Sequence, residues 1–191
     1  MRIQALLLLL LLSSPLRAGT ISGKVLLRSL SDNSNAIVYI HKIPGKTFPP
    51  PRNPVVMDQI NLRFNPHVLP ILAGSQVAFP NSDEIRHNVF SPDEKFTLGT
   101  YPSGSTKYQV FNTPGEVTLL CNVHAEMSAY ILVTETPYFA VTDASGNYTI
   151  SNVPAGRYTL SVWNERLKSV TTNGVEVPES GTVLVNFELK R

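Results

Sequence analysis

The chain holds a single cysteine, Cys121, and two residue types with soft or borderline donor atoms follow it at fixed spacing: His124 and Met127, a Cys-x2-His-x2-Met loop. A second imidazole, His87, lies 34 residues upstream, at the end of a polar turn. Two imidazoles, one thiolate and one thioether are the ligand set that suits a mononuclear copper ion working in electron transfer. The nitrogens and the thiolate make a trigonal site tolerated by both oxidation states, and methionine adds a weak, long axial contact. Competing chemistries fit less well. Structural zinc takes four strong ligands, usually more than one cysteine, and methionine serves it poorly. A two-copper purple centre needs two cysteines on the loop, and an iron–sulfur cluster needs still more. A Cys–His nucleophilic pair is formally available, but no asparagine or oxyanion device accompanies it, so the chain reads as a non-enzyme. Taken alone, a lone cysteine is as readily a buried structural residue as a ligand; the neighbours favour ligation.

These donors have to be positioned by strands. Fifteen prolines, many Thr, Val, Ile and Tyr, and short apolar runs cut by Gly, Pro, Asn and Asp predict an all-β chain. Ile21 to Leu30 and Ala36 to Ile43 read as two strands around the turn Ser31–Asn35. Residues 44–54, with five prolines, form an extended connector. Strand candidates then come quickly: Val55–Met57, Leu62–Phe64, Val68–Leu72, Gln76–Phe79, His87–Phe90, Lys107–Phe111, Val117–Leu120 and Ala129–Val133. That density suits a small Greek-key sandwich. Further on, Phe139–Thr142, Tyr148–Ile150, Arg157–Trp163, Val175–Val177 and Thr182–Leu189 continue the pattern, while Asn164 to Ser169 could hold at most one helical turn. Asp83, Glu84 and Arg86 read as a solvated turn, and His41 and His67 as structural or solvated histidines.

The first residues have another logic. Arg2, a leucine-rich run from Ala5 to Leu12, and a small residue at Ala18 are laid out as a secretory signal peptide over 1–18, cut between Ala18 and Gly19. An apolar run of about 10 residues is short of the roughly 20 that span a bilayer, so no membrane span is expected, and the predicted location is the periplasm. Losing Arg2 and Arg17 takes the 16 basic residues to 14, against 14 acidic ones. The near-neutral balance excludes a basic nucleic-acid footprint.

Four stretches resemble the cupredoxins, the plastocyanin- and amicyanin-like domains in particular: Ala73–Asn81 (AGSQVAFPN), His87-Asn88-Val89, Pro114-Gly115-Glu116-Val117 and Cys121–Met127 (CNVHAEM). The resemblance spans about residues 56–134. It implies one type 1 copper ion bound by the Nδ1 atoms of His87 and His124, the sulfur of Cys121 and, axially, Met127. It also implies that Asn88 braces the two ligand-bearing segments and that His124 is the port for electrons. The chain departs from the family in having Leu119 two residues before the cysteine, where an aromatic is common, and a charge, Glu126, inside the loop.

Tyr138–Tyr148 (YFAVTDASGNY) and Val153–Tyr158 (VPAGRY) resemble carboxypeptidase regulatory-like and rhamnogalacturonan-lyase middle-domain sandwiches. Those families begin with strands like Ile21–Val25 and Ala36–Ile40, which here stand at the other end of the chain. The expectation is therefore a smaller, discontinuous sandwich of 20–43 with 137–190, the proline connector 44–54, and a cupredoxin domain at 55–135 inserted between its second and third strands. Tyr158 and Trp163 could form a sugar-stacking platform, though at strand spacing they are more often core. The function expected is an exported blue copper protein passing single electrons between redox protein partners. The alternative is a non-redox copper-binding or carbohydrate-binding accessory module that contacts polysaccharide.

Overall fold

Runs of β-branched and aromatic residues broken by Gly, Pro and Asx turns form strands throughout the computed structural model, which describes residues 18–28 and 30–191. The predicted leader up to residue 17 lies outside the described residues. In chain order the strands are β1 (Ala18–Leu27), β2 (Ile37–Ile40), β3 (Val55–Val56), β4 (Asp58–Gln59), β5 (Phe64–Asn65) and β6 (Val68–Leu72). Then come β7 (Ser75–Pro80), β8 (Phe90–Ser91), β9 (Phe96–Thr97), β10 (Thr106–Phe111), β11 (Gly115–Leu120) and β12 (Ser128–Thr134). The last six are β13 (Phe139–Val141), β14 (Asn147–Pro154), β15 (Gly156–Asn164), β16 (Leu167–Val177), β17 (Thr182–Leu184) and β18 (Phe187–Leu189). The fold is all-β. Among the described residues no helix is long and apolar enough to cross a membrane.

Two sheets are built from the middle of the chain, β10-β7-β3 and β6-β12-β11-β8-β9. They enclose one apolar cluster that includes Val77 and Phe79 from β7, Val117 and Leu119 from β11, and Ala129 and Ile131 from β12. Two further sheets unite the start and the end of the chain. One is β14-β1-β17, with β18 also on β1; the other is β13-β2-β15-β16. A second cluster lies between them, formed by residues such as Ile21, Val38, Ile40, Ile150, Leu160 and Val162.

A third, smaller cluster joins the two halves: Ile37, Val68, Leu132 and Trp163, with Tyr39, Tyr130 and Phe139 packed against it. Strand alternation explains it. In β2, Val38 and Ile40 face one way, into the second cluster, while Ile37 and Tyr39 face the other. In β12, Ala129, Ile131 and Val133 face the first cluster, while Tyr130 and Leu132 face β2 and β15. Strands covered on both faces read as unbroken apolar runs, as Ile37–Ile40 and Ala129–Val133 do. Polar pairs line the seam: Trp163 Nε1 donates to Glu116 Oε2 at 2.7 Å, His67 Nε2 meets Glu165 Oε1 at 3.1 Å, and Lys42 Nζ lies 3.4 Å from Glu135.

Several strands differ from their sequence-based bounds. Of the run His87–Phe90 only Phe90 is strand, continuing to Ser91, while His87 makes an isolated bridge to Tyr101 across the site. Leu62 lies outside a strand, since Asn61 and Leu62 adopt left-handed backbone, with φ of 56° and 58°. Glu165 and Arg166 make a two-residue turn in place of any helical turn, so that β15 runs straight back as β16, 11 residues long. The register shifts along this hairpin break its apolar alternation, which hides most of β16 from a pattern search. The closing run splits into β17 and β18, which pair in parallel with successive parts of β1. Gly23 marks the crossing point: a Cβ there would lie 1.8 Å from Val185 O.

Candidate metal centre

The loop of Cys121, His124 and Met127 is the short end of a hairpin. β11 and β12 pair antiparallel up to Leu120↔Ser128, and the loop between folds on itself through Cys121 N–H donating to Met127 O (3.2 Å) and Met127 N–H donating to His124 O (3.0 Å). His87 reaches the same place from the turn after β7, fixed by reciprocal backbone hydrogen bonds with Tyr101 at 3.2 and 2.8 Å. The two imidazoles meet with Nδ1 atoms 3.1 Å apart. One donor atom each from His87, Cys121 and His124 falls within 4.8 Å of the others. An ion about 2.0 Å from each nitrogen can bridge two nitrogens closer than about 4 Å, so the nitrogen pair fits a single metal.

Burial grades these donors. His87 is fully buried, Cys121 is buried with a free thiol, and His124 is half-buried beside the exposed Val123. Met127 is 1% exposed and lies in the same apolar cluster as Cys121, Phe79 and Leu119. Leu119, which stands where an aromatic is common in the cupredoxins, is fully buried there; Glu126 is exposed at the loop surface. All four sequence-predicted donors thus belong to one region, three of them with their donor atoms in mutual reach.

Beneath the site runs a buried polar frame. Tyr101 Oη donates to Phe79 O (3.0 Å) and takes a hydrogen bond from Gln59 Nε2. Burial, with Cys121 and Asp58 nearby, pushes the Tyr101 hydroxyl up to about 12 despite the Gln59 contact. Asn81 Nδ2 donates to Ile85 O at 2.8 Å and to Tyr101 O at 3.3 Å, tying the turn before His87 to the strand side of the site. Asn88 Oδ1 accepts from Thr97 Oγ1 at 3.3 Å, so its bracing runs from the His87 segment to β9.

One residue of this frame belongs to the stretch read from sequence as solvated. Asp83 has a side chain only 13% exposed, and its Oδ2 lies 2.8 Å from His87 Nε2. Its carboxylate also accepts the N–H groups of Asn61 (2.5 Å) and Leu62 (3.0 Å). Burial alone would raise this carboxyl, but the hydrogen bonds from Leu62, His87 and Asn61 together hold it below its usual range. The sequence signal was the Asp-x3-His spacing, which has no meaning until the turn at 60–63 folds over it.

The other candidates sort by burial. His67 sits edge-on to Tyr130, ring centroids 5.7 Å apart, and pairs with Glu165; His41 is exposed. Tyr158 and Trp163 are 8% and 7% exposed and packed into the second cluster and the seam. Neither presents an open ring face for a sugar.

Residues 123–190 match the carboxypeptidase regulatory-like domain. The regulatory-like match takes in β12 through β18, while β1 and β2 pair into the sheets of β13 to β18 from outside it. No curated protein matches the sequence. Among solved structures the chain is similar to a copper-containing nitrite reductase from Thermus scotoductus SA-01, at 27% identity and a TM-score of 0.42. That match covers 51% of this chain and 25% of the other, so the chain spans about a quarter of the reductase's length. It is also similar to a reduced amicyanin variant (18% identity, TM-score 0.40, 44% of this chain and 84% of that one). A purple cupredoxin from Nitrosopumilus maritimus is similar too (23% identity, TM-score 0.36, 39% and 85%).

Proposed function

We propose that this chain is an exported, non-enzymatic carrier of single electrons that holds one type 1 copper ion through His87 Nδ1, Cys121 Sγ and His124 Nδ1, with Met127 as axial ligand. The observation that carries this reading is a pair of imidazoles with Nδ1 atoms 3.1 Å apart, each offering a ring nitrogen within 4.8 Å of the chain's single thiol. One thiolate with two imidazoles is a donor set matched to copper, and the buried thioether beside it has no comparable use in a zinc site. When bound, copper supplies a one-electron couple.

The chain's own residues provide the rest. The loop hydrogen bonds between Cys121 and Met127 and between Met127 and His124 hold the donors in place through a change of charge, so little has to rearrange. Val77, Phe79, Leu119 and Ile131 keep water from the thiol. His124, half-buried beside exposed Val123, is the edge through which an electron reaches a partner protein. The leader pattern at the N-terminus supports export to the periplasm, where a free thiol persists best when ligated.

We also read residues 20–43 with 137–190 as one discontinuous sandwich, with 44–54 as connector and 55–135 inserted. The pairings β2 with β13 and β15, and β1 with β14, support this division. The test of the function is direct. Cu(II) added to the metal-free protein should give an intense visible thiolate-to-copper band that Cys121→Ser abolishes. A protein that stays colourless with stoichiometric Cu(II), or that keeps its colour in Cys121→Ser, overturns the reading.

A further inference from the structure

We propose that Asp83 is a positioning residue of this centre: its carboxylate fixes the ring proton of His87 on Nε2, leaves Nδ1 as a free donor facing Cys121 and His124, and biases a bound copper ion toward its oxidised form. The last part rests on the copper reading above; the first does not.

The geometry leaves His87 few options. Its ring is fully buried, so no bulk water competes for Nε2, and Asp83 Oδ2 lies 2.8 Å from that nitrogen. An ionised carboxylate only accepts hydrogen bonds, so Nε2 must carry the proton and Nδ1 the lone pair. The ionised form is what the surroundings favour. Two backbone N–H groups already point at this one carboxylate, Asn61 N on Oδ1 and Leu62 N on Oδ2, beside the His87 Nε2 contact.

The chain also accepts local strain to build that clamp. Asn61 and Leu62 are consecutive non-glycine residues with φ of 56° and 58°. Asparagine tolerates this conformation, but leucine avoids it. Left-handed backbone held at a site signals a constraint imposed from elsewhere. Here its result is that two successive N–H groups face Asp83. The far side of the turn is held too, since Asp83 N donates to Asn81 Oδ1 at 3.2 Å and Asn81 Nδ2 anchors Ile85 O. Asp83 is therefore aimed from both ends. Partners of this kind on a ligating histidine set its tautomer and raise its basicity, and a fixed negative charge nearby stabilises the more positive metal state.

The test reads the ring proton without metal and the couple with it. In the metal-free protein, nitrogen-15 spectra of the histidine rings should show His87 protonated at Nε2, and Asp83→Ala should give a mixture of tautomers. Asp83→Asn keeps the shape of the turn and removes the charge. It should raise the Cu(I) to Cu(II) ratio at a fixed solution potential, and Asp83→Ala should weaken Cu(II) binding by about tenfold or more in a chelator competition. Thermal melts of both variants check that they fold. A wild-type His87 protonated at Nδ1, or variants with unchanged tautomer, affinity and ratio, would overturn the proposal. If the wild-type protein takes no copper, the carrier reading fails, while the ring proton still decides the role of Asp83.

Discussion

Met127 tests the difference between filling space and ligating. It is 1% exposed in the cluster that holds Cys121, so its side chain contributes both packing and sulfur. Met127→Leu conserves volume and should cost less than about 1.5 kcal/mol in urea unfolding of the metal-free protein. If the sulfur is an axial ligand, the same substitution should shift the reduction potential of the copper-loaded protein, because the axial donor tunes that quantity. Unchanged voltammetry would mean that Met127 is packing alone. His87 and Cys121 admit no such separation, since each is buried and each offers a donor atom that the proposed site needs.

At the scale of elements, turns set the registers. The turn Asp143–Asn147 feeds β14, and Gly146 within it has φ of 82° and so close an approach to β1 that a Cβ would lie 2.2 Å from Val25 O. Asp143 closes this turn by accepting from Asn147 N at 2.8 Å and Asn147 Nδ2 at 2.9 Å. Those bonds, the side-chain one foremost, hold its carboxyl below the ordinary value of 3.8. A depressed carboxyl stabilises the fold above its unfolded pKa, and the contribution is lost as pH falls through the folded value. Asp143→Ala should therefore melt below wild type at neutral pH, with the gap closing as pH drops below 3.8. A gap that persists unchanged in acid would assign the loss to something other than the charged acceptor.

The two packed halves meet at the scale of the whole molecule. Leu132 is 5% exposed and belongs to the seam rather than to either larger cluster. Leu132→Ala should cost about 2–5 kcal/mol. Because the loss falls between the halves, their unfolding should separate into two transitions. Trp163 is the only tryptophan and lies in that seam, so its fluorescence should report the first of them. A single cooperative transition at lower denaturant would show that the two halves remain coupled through β6, β12 and the polar pairs.

Sequence alone was enough for the residue types and their order. The Cys-x2-His-x2-Met loop, the upstream His87, the strand-rich composition and the two family resemblances were all readable, because ligand chemistry and alternation are local properties. The second of those resemblances reappears in the regulatory-like match at 123–190. What the tertiary structure decided is contact between segments far apart in the chain. Asp83 looked like solvated turn because its neighbours in sequence are polar, and only the fold of residues 60–63 over it buries the carboxylate against His87. Strand spacing favoured a core role for Trp163 over a sugar platform, and only the packing of β2 and β15 on β12 shows that it is covered. Most of β16 was hidden because its register shifts erase the alternation on which a sequence reading depends. Donor identity is written in the residues; donor orientation is a property of the long-range contacts that surround them.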